Sequence, residues 1–328
     1  MNFVIFFTGK KLRDYPFTMP RFYYGYKQLL QYFSKKIPSI GWFVERDERR
    51  IHNGQFSQIW QYKDNRFIKC LKPVKPDIVW NRDHYSKFNE QGDFTRINPL
   101  ELENICEDKW LTYKYFRNSV PFLPSTILLS DEKKIRQMAQ EKFIVKARRG
   151  YQSRFVKVVN NKNDLLELIS SIPKAERIYY IVQSFTQSHI TDPKFKILEL
   201  YKKLPSNVNP QKLQGEIRVI VANNEMIFSG GKIMEPKKEK MQKSLSISRH
   251  FQITKYGKKQ LLAYANIINK KIAHFSNRFI AIDIAINNQG QLFFYEINSI
   301  PAIPSAATSQ TITNGYYKLL EKFIRQII

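Results

Sequence analysis

Over its first hundred residues the chain alternates short apolar runs with segments of helical period. Asn2 to Phe7 is a β-prone apolar run. Tyr23 to Ile37 carries Tyr26, Leu29, Leu30 and Phe33 at helical spacing, which predicts an amphipathic helix. Gly41 to Val44 is again apolar. Phe56 to Tyr62 alternates as a strand does, and an Asp64-Asn65 turn leads to a second strand at Arg66 to Leu71. Pro76 to Trp80 reads as a buried strand that ends on the polar Asn81-Arg82-Asp83. Strands interleaved with a helix suggest an open α/β sheet, whose ligands gather at the carboxyl ends of the strands.

Asn98-Pro99 opens a helix, with apolar residues at Leu102, Ile105, Trp110, Leu111 and Phe116, and Pro121 and Pro124 close it. Beyond Lys142 the pattern turns to hairpins. Phe143 to Lys146 and Phe155 to Val159 flank a basic loop, Ala147 to Ser153. Asp164 to Ser170 is helical with Asn163 as its cap, and Tyr179 to Gln183 is a strand. Residues 186–214 are Lys-rich and lack periodicity, as an inserted loop would. Glu216 to Ala222 and Glu225 to Phe228 pair across Asn223-Asn224. A helix over Gly257 to Phe275 follows. The last hairpin joins Ile280 to Ile286 with Leu292 to Ile297 through a turn at Asn287 to Gly290, and Tyr316 to Ile328 is a closing helix.

Three places carry chemistry. Asp283 sits between Ile282 and Ile284, where a carboxylate is costly unless paired, hydrogen-bonded or bound to metal. Glu296 and Asn298 share a side of the partner strand by the period of two. If the turn closes the hairpin, two carboxylates and an amide oxygen converge, a hard-oxygen set that suits magnesium shared with phosphates. The bland alternative is a capped strand end with an Asx turn before Pro301. In FIVKARRGYQSRFVKVV, Lys146 ends a strand and faces a loop with Gly150 and Ser153, whose N–H groups can cradle phosphate. A solvated basic tip explains it equally. Arg218, in GEIRVIV, needs a buried anion, either a salt bridge or a phosphate. Lys232 follows Gly230 and Gly231, which permit close backbone approach.

Composition adds one number that changes the picture. The 328 residues include 54 Lys and Arg against 28 Asp and Glu, a formal charge of +26. A surplus this large favours an anionic partner: nucleotide, acidic peptide or nucleic acid. With 43% apolar and 14% aromatic residues the chain is globular. No stretch is apolar enough to span a bilayer, and Phe3 to Phe7 is too short for a signal peptide. Cys70 and Cys106 offer neither a disulfide framework nor metal-ligand spacing, as expected of thiols in a reducing cytoplasm.

The order and spacing of these parts resemble the ATP-grasp superfamily over about residues 75–328. KARRGYQSRFV resembles the hairpin that covers the phosphates, commonly KPRxGxxSRGV. IVQSF resembles the hinge strand that meets adenine, and GEIRVIV the core strand with a phosphate-contacting arginine. RFIAIDIAINNQGQLFFYEINSIPA resembles the magnesium site, an Asp and then E-x-N. INPLELENICEDKWLTYKYFRNSVPFLPST resembles the entry segment, where a DK pair precedes a helix. Among its members, the chain resembles glutathione synthetases, ribosomal-protein glutamate ligases and peptide-modifying ligases. Two departures stand out: Phe155 where glycine is usual, and Ser184 where the hinge usually has Glu.

The resemblance implies an α/β (α+β) fold: an N-terminal open α/β domain (1–97) and two α+β subdomains clasping ATP (98–182 and 183–328). It implies a cytoplasmic, ADP-forming ligase that joins a carboxylate to an amine through an acyl phosphate. Lys109 and Lys146 would contact ATP phosphates, with Gly150, Ser153 and Lys232 nearby. Gln183, Ser184 and Phe185 would line the adenine pocket. Asp283, Glu296 and Asn298 would hold two magnesium ions. Arg218 would steady the transferred phosphate, and Arg249 the acyl phosphate or the substrate carboxylate. The basic surplus favours an acidic peptide, protein tail or amino acid, and dimers are common in similar ligases. Two alternatives stay open: an ATP-grasp kinase of a polyanionic small molecule, and a basic nucleic-acid-binding protein on an inactive ATP-grasp scaffold.

Overall fold

A computed structural model describes residues 1–7, 20–46, 51–82, 92–139, 142–150, 156–186, 214–234, 255–287, 289–304 and 310–328. The first unit contains β1 (Asn2–Phe6), α1 (Pro20–Lys36), β2 (Gly41–Glu45), the two-residue strands β3 (Ile51–His52) and β4 (Gln55–Phe56), β5 (Ile59–Lys63), β6 (Arg66–Cys70), β7 (Ile78–Asn81) and β8 (Thr95–Ile97). Its sheet runs β6-β5-β2-β1-β7-β8. The pairs among β2, β1, β7 and β8 are parallel, so their carboxyl ends share one edge. Alternation sends Phe3 and Ile5 toward α1 and Val4 and Phe6 to the opposite face. The strand expected from Phe56 onward begins at Ile59 instead. Phe56 belongs to β4, where it pairs with Ile51 and also bridges to Val74.

The middle of the chain opens with α2 (Leu100–Glu107) and α3 (Lys109–Phe116). The single helix read from the apolar spacing is therefore two, broken at Asp108, whose φ of −103° and ψ of 103° are extended. A small sheet follows, with order β11-β10-β12-β9. It is built from β9 (Thr126–Leu128), β10 (Phe143–Ala147), β11 (Lys157–Val159) and β12 (Tyr180–Ser184). Helices α4 (Glu132–Gln137) and α5 (Lys162–Ser171) cover it, with Ile135, Leu165 and Ile169 meeting Phe143, Val145 and Val182. Helix α5 starts two residues earlier than expected: Asn161, not Asn163, is its cap and accepts from the Asp164 N–H.

The last sheet has order β14-β13-β15-β16 and is antiparallel throughout. It comprises β13 (Gln214–Ala222), β14 (Glu225–Met234), β15 (Phe279–Ile286) and β16 (Leu292–Asn298), with α6 (Lys255–Lys271) and the closing α7 (Gln310–Ile327). One face sends Ile217, Val219, Ile280, Ile282 and Ile284 against α6, α2 and α3. The other sends Ile220, Ala222, Phe279 and Ala281 against α7 and the first sheet. Helices α2 and α3 thus join the C-terminal core. Asn98 fastens the seam between the units. It is fully buried at φ 60°, a backbone state that Asn tolerates better than most residues. It donates to the Phe279 and Ser299 carbonyls at 2.8 and 2.7 Å and accepts from the Phe279 N–H at 2.7 Å. Cys106 is buried, Cys70 half-buried, and both are free thiols. Among the described residues no helix is long and apolar enough to cross a membrane.

Candidate active site

The second face of the last sheet changes character along its length. Its hydrophobic half ends at Ala281 and Ile220, and the next position in each strand is charged. Arg218 lies directly across from Asp283, and Asp283 directly across from Glu296. This row spans β13, β15 and β16, and directly opposed residues share a face. Asn298 is two residues beyond Glu296, opposite Ala281, and so on that face too.

A β-bulge makes this possible. Ile284 pairs with Phe294 but Asp283 pairs with Glu296, which leaves Tyr295 as the extra residue. Without it Asp283 would oppose Tyr295, and Glu296 would point into the apolar core on the far face. A second irregularity lies opposite Arg218, where β14 carries an extra residue at Ser229-Gly230. Gly230 has φ 101°, a conformation that a side chain would strain.

Asp283 is 1% exposed. Its carboxylate takes both Arg218 Nε and Nη2, at 2.7 and 2.6 Å. Burial works against the guanidinium charge, but Asp283 more than offsets it, and the Arg218 pKa stays raised. A two-toothed pair occupies about half of a carboxylate's roughly four lone-pair sites. Asn298 Oδ1 accepts from the Ile300 N–H at 2.7 Å, the Asx turn of the bland reading. Its second lone pair is not used by that bond. Burial, then the charges of Glu216, Glu296 and Asp283, raise the pKa of the Tyr295 hydroxyl and keep it protonated.

Lys146 approaches from β10. It is 6% exposed, its Nζ lies 5.4 Å from the centroid of the Tyr295 ring, and no carboxylate is bonded to it among the described residues. Burial, reinforced by Lys109 and countered by Glu296 and Glu216, lowers its pKa to about 8. A buried, unpaired ammonium is an anion site in waiting. Lys146, Lys109, Thr112, Gln183, Tyr295 and Glu296 line one cleft between the small sheet, α3 and β16. We expect nucleotide affinity to fall as pH rises through about 8, because a neutral amine no longer pairs with phosphate. The protein alone should behave oppositely. Between about 8 and the ordinary lysine value of 10.5 the unfolded chain holds more protons on this group, so stability rises with pH there. Lys146→Met should remove both trends; isothermal titration and thermal melts across that range check them.

The hairpin root is fixed by a residue that sequence reasoning passed over. Asp108 is fully buried and caps α3 by accepting from the Trp110 and Leu111 N–H groups. The same carboxylate takes Arg148 Nε at 2.8 Å and Nη2 at 2.7 Å, and Arg149 Nε lies 3.6 Å away. The Lys109 N–H donates to the Arg148 carbonyl at 3.0 Å, and Lys109 Nζ to the Gly150 carbonyl at 2.8 Å. Gly150 has φ 128°, which a Cβ would strain although open space surrounds it. Asp108→Asn keeps a good cap but loses the charged pair. We expect faster amide exchange over 144–150 and roughly tenfold weaker nucleotide binding; hydrogen exchange and titration measure the two. The local mark of Asp108 in the sequence was its place in the DK pair that precedes a helix.

The remaining expected residues are distributed as follows. Gln183 faces the cleft and donates to Thr126 Oγ1 at 3.0 Å. The Ser184 N–H donates to the Ser125 carbonyl at 2.9 Å and the Phe185 N–H to the Lys142 carbonyl at 3.0 Å. Both amides are thus occupied within the small sheet. Lys232 is on β14, in register with Glu216. Ser153, Phe155 and Arg249 lie outside the described residues.

The donor set fits magnesium and nucleotide phosphate. Three hard oxygen donors share one face of a hairpin, and a buried cation unpaired among the described residues lies within reach of their field. A family model described as an ATP-grasp domain matches residues 106–243. That segment is similar to ATP-grasp domains. Solved structures of similar fold cover nearly the whole chain. D-alanyl-alanine synthetase A from Vibrio cholerae is 12% identical with a TM-score of 0.60, over 99% of this chain and 98% of that one. The VanG D-Ala:D-Ser ligase from Enterococcus faecalis is 15% identical with a TM-score of 0.62, over 100% and 99%. A RimK domain ATP-grasp protein from Sphaerobacter thermophilus is 10% identical with a TM-score of 0.55, over 99% of each chain. No curated protein matches the chain in sequence.

Proposed function

We propose that this protein is an ADP-forming ATP-grasp ligase that joins a carboxylate to an amine in the cytoplasm. The observation that carries the reading is the cleft itself, where unpaired Lys146 faces the wall that bears Glu296 at the end of the Arg218–Asp283–Glu296 row. Two ligases of similar fold act, by their names, on D-alanine and D-serine, in keeping with an amino-acid substrate. Lys146 and Lys109 bind the ATP phosphates. Asp283, Glu296 and Asn298 would hold two magnesium ions, whose charge would offset that of the transferred phosphoryl group. Gln183, Ser184 and Phe185 border the adenine, and Gly150, Ser153 and Lys232 border the phosphates.

The reaction runs in two balanced steps. A carboxylate oxygen attacks the γ-phosphorus, the bond to the β–γ bridging oxygen breaks, and ADP leaves. An amine nitrogen then attacks the acyl carbon, the C–O bond to phosphate breaks, and phosphate leaves as the nitrogen loses its proton. Arg218 steadies the phosphoryl oxygens and Arg249 the acyl phosphate or carboxylate. No protein nucleophile is needed; positioning and charge neutralisation supply the rate. The charge of +26 draws an acidic peptide, protein tail or amino acid to the cleft. We divide the chain at about 97 and 182, with 98–123 lending its packing surface to the last unit.

ADP release with magnesium and ATP against pools of amino acids and acidic peptides tests the reading. A product lighter than its two substrates by one water is expected. ADP release without an amine, leaving a stable phosphorylated product, would instead mark a kinase.

A further inference from the structure

Arginines of this protein that leave solvent mostly meet carboxylates. Arg96 faces Glu103, Arg148 faces Asp108, Arg177 faces Glu132 and Arg218 faces Asp283. Arg82 does not. It follows directly on β7, at the shared carboxyl edge of the parallel strands, where open α/β sheets bind ligands. Its guanidinium lies over the Trp80 ring, 4.5 Å from the centroid. Nε donates to the Tyr26 hydroxyl at 3.2 Å, and Nη2 donates to the Pro301 carbonyl at 2.7 Å. Among the described residues Nη1 is buried without an acceptor. The fork is therefore held in one orientation with part of its donor set unused. That geometry suits a carboxylate, and a bound anion would offset the cost of a half-buried, unpaired charge.

The location points the same way. Pro301, which anchors Nη2, is three residues past Asn298. The Trp80 ring meets Phe279 at 5.5 Å, and Phe279 meets Tyr316 at 5.6 Å. The fully buried Tyr316 hydroxyl has no partner among the described residues, and the charges of both Arg82 and Arg218 act on it. Ser299 Oγ is likewise buried without a partner. Among the described residues, the seam between the first sheet and the end of the last hairpin thus holds an uncompensated cation and hydroxyls without acceptors.

We infer that Arg82 is a second anion subsite, which binds a substrate carboxylate other than the one that is activated. This rests on the ligase reading and narrows its substrate class to amino acids or peptides with a further free carboxylate. Trp80, stacked beneath Arg82, is the reporter. The full chain saturated with magnesium and a non-hydrolysable ATP analogue is titrated with acetate, succinate and L-glutamate. A saturable change in tryptophan emission is expected with succinate or L-glutamate. Arg82→Gln should weaken that binding at least about tenfold, the loss expected for a hydrogen-bonded charge contact. Its nucleotide affinity and melting temperature should stay near wild type. Arg82→Lys keeps the charge and loses the fork, and should bind between the two; it also serves if Arg82→Gln does not fold. No saturable response to any of the three acids, or equal affinity in wild type and both variants, would overturn the subsite. The ligase reading is judged separately, by ADP release, so either can fail alone.

Discussion

Asp283→Ala should destabilise the protein by about 3–5 kcal/mol, because it strands the Arg218 guanidinium in a buried strand without its anion. The loss is not a measure of what the pair contributes. Taking both charges out of water is costly, and apolar replacement of a buried pair is often neutral or stabilising. Hence Arg218→Leu combined with Asp283→Leu should recover most of the stability and none of the activity. Urea unfolding of the three proteins decides this. A single Asp283→Ala variant as stable as wild type would mean that the pair does not hold β13 to β15.

Glu296→Ala should do the reverse. Glu296 is half-buried and makes no ion pair among the described residues, so its loss should change stability by less than about 1 kcal/mol. Magnesium-dependent ATP turnover should drop at least about a hundredfold, the scale seen when a group that stabilises transition-state charge is removed. Melting curves alongside ADP release separate the two effects. A variant that turns over ATP normally would remove Glu296 from the metal set.

Much of this site could be read in the sequence because it sits on strands, where a period of two fixes each side chain's face. Asp283 in an apolar run, the Glu296-x-Asn298 pair and Arg218 in GEIRVIV each announced a charge that needed a partner. The partner choice was less legible. Arg218 calls for either a salt bridge or a phosphate, and the structure supplies the salt bridge, to Asp283 across β13 and β15. The bulge at Tyr295 was hidden as well. Strict alternation from the turn would have sent Glu296 to the wrong face, and only the packing of both Phe294 and Ile297 into one core reveals the extra residue.

Tertiary contacts also overrode local signals elsewhere. The apolar spacing from Leu102 to Phe116 runs through Asp108 without interruption, and its break answers to Arg148, forty residues away. Asn161 and Asn163 are equivalent as caps by type, and in the structure Asn161 accepts from the Asp164 N–H. Arg82 looked like the polar end of a buried strand; its unsatisfied Nη1 appears only when Tyr26 and Pro301 are in place.

The central claim is that a carboxylate attacks the γ-phosphorus in this cleft. Isotope transfer tests it most directly. Carboxylate pools labelled with oxygen-18 are incubated with the protein, magnesium, ATP and an amine pool, and the released phosphate is analysed by mass. One labelled oxygen per phosphate is expected, with label also retained in the amide. Phosphate released without label would contradict the account.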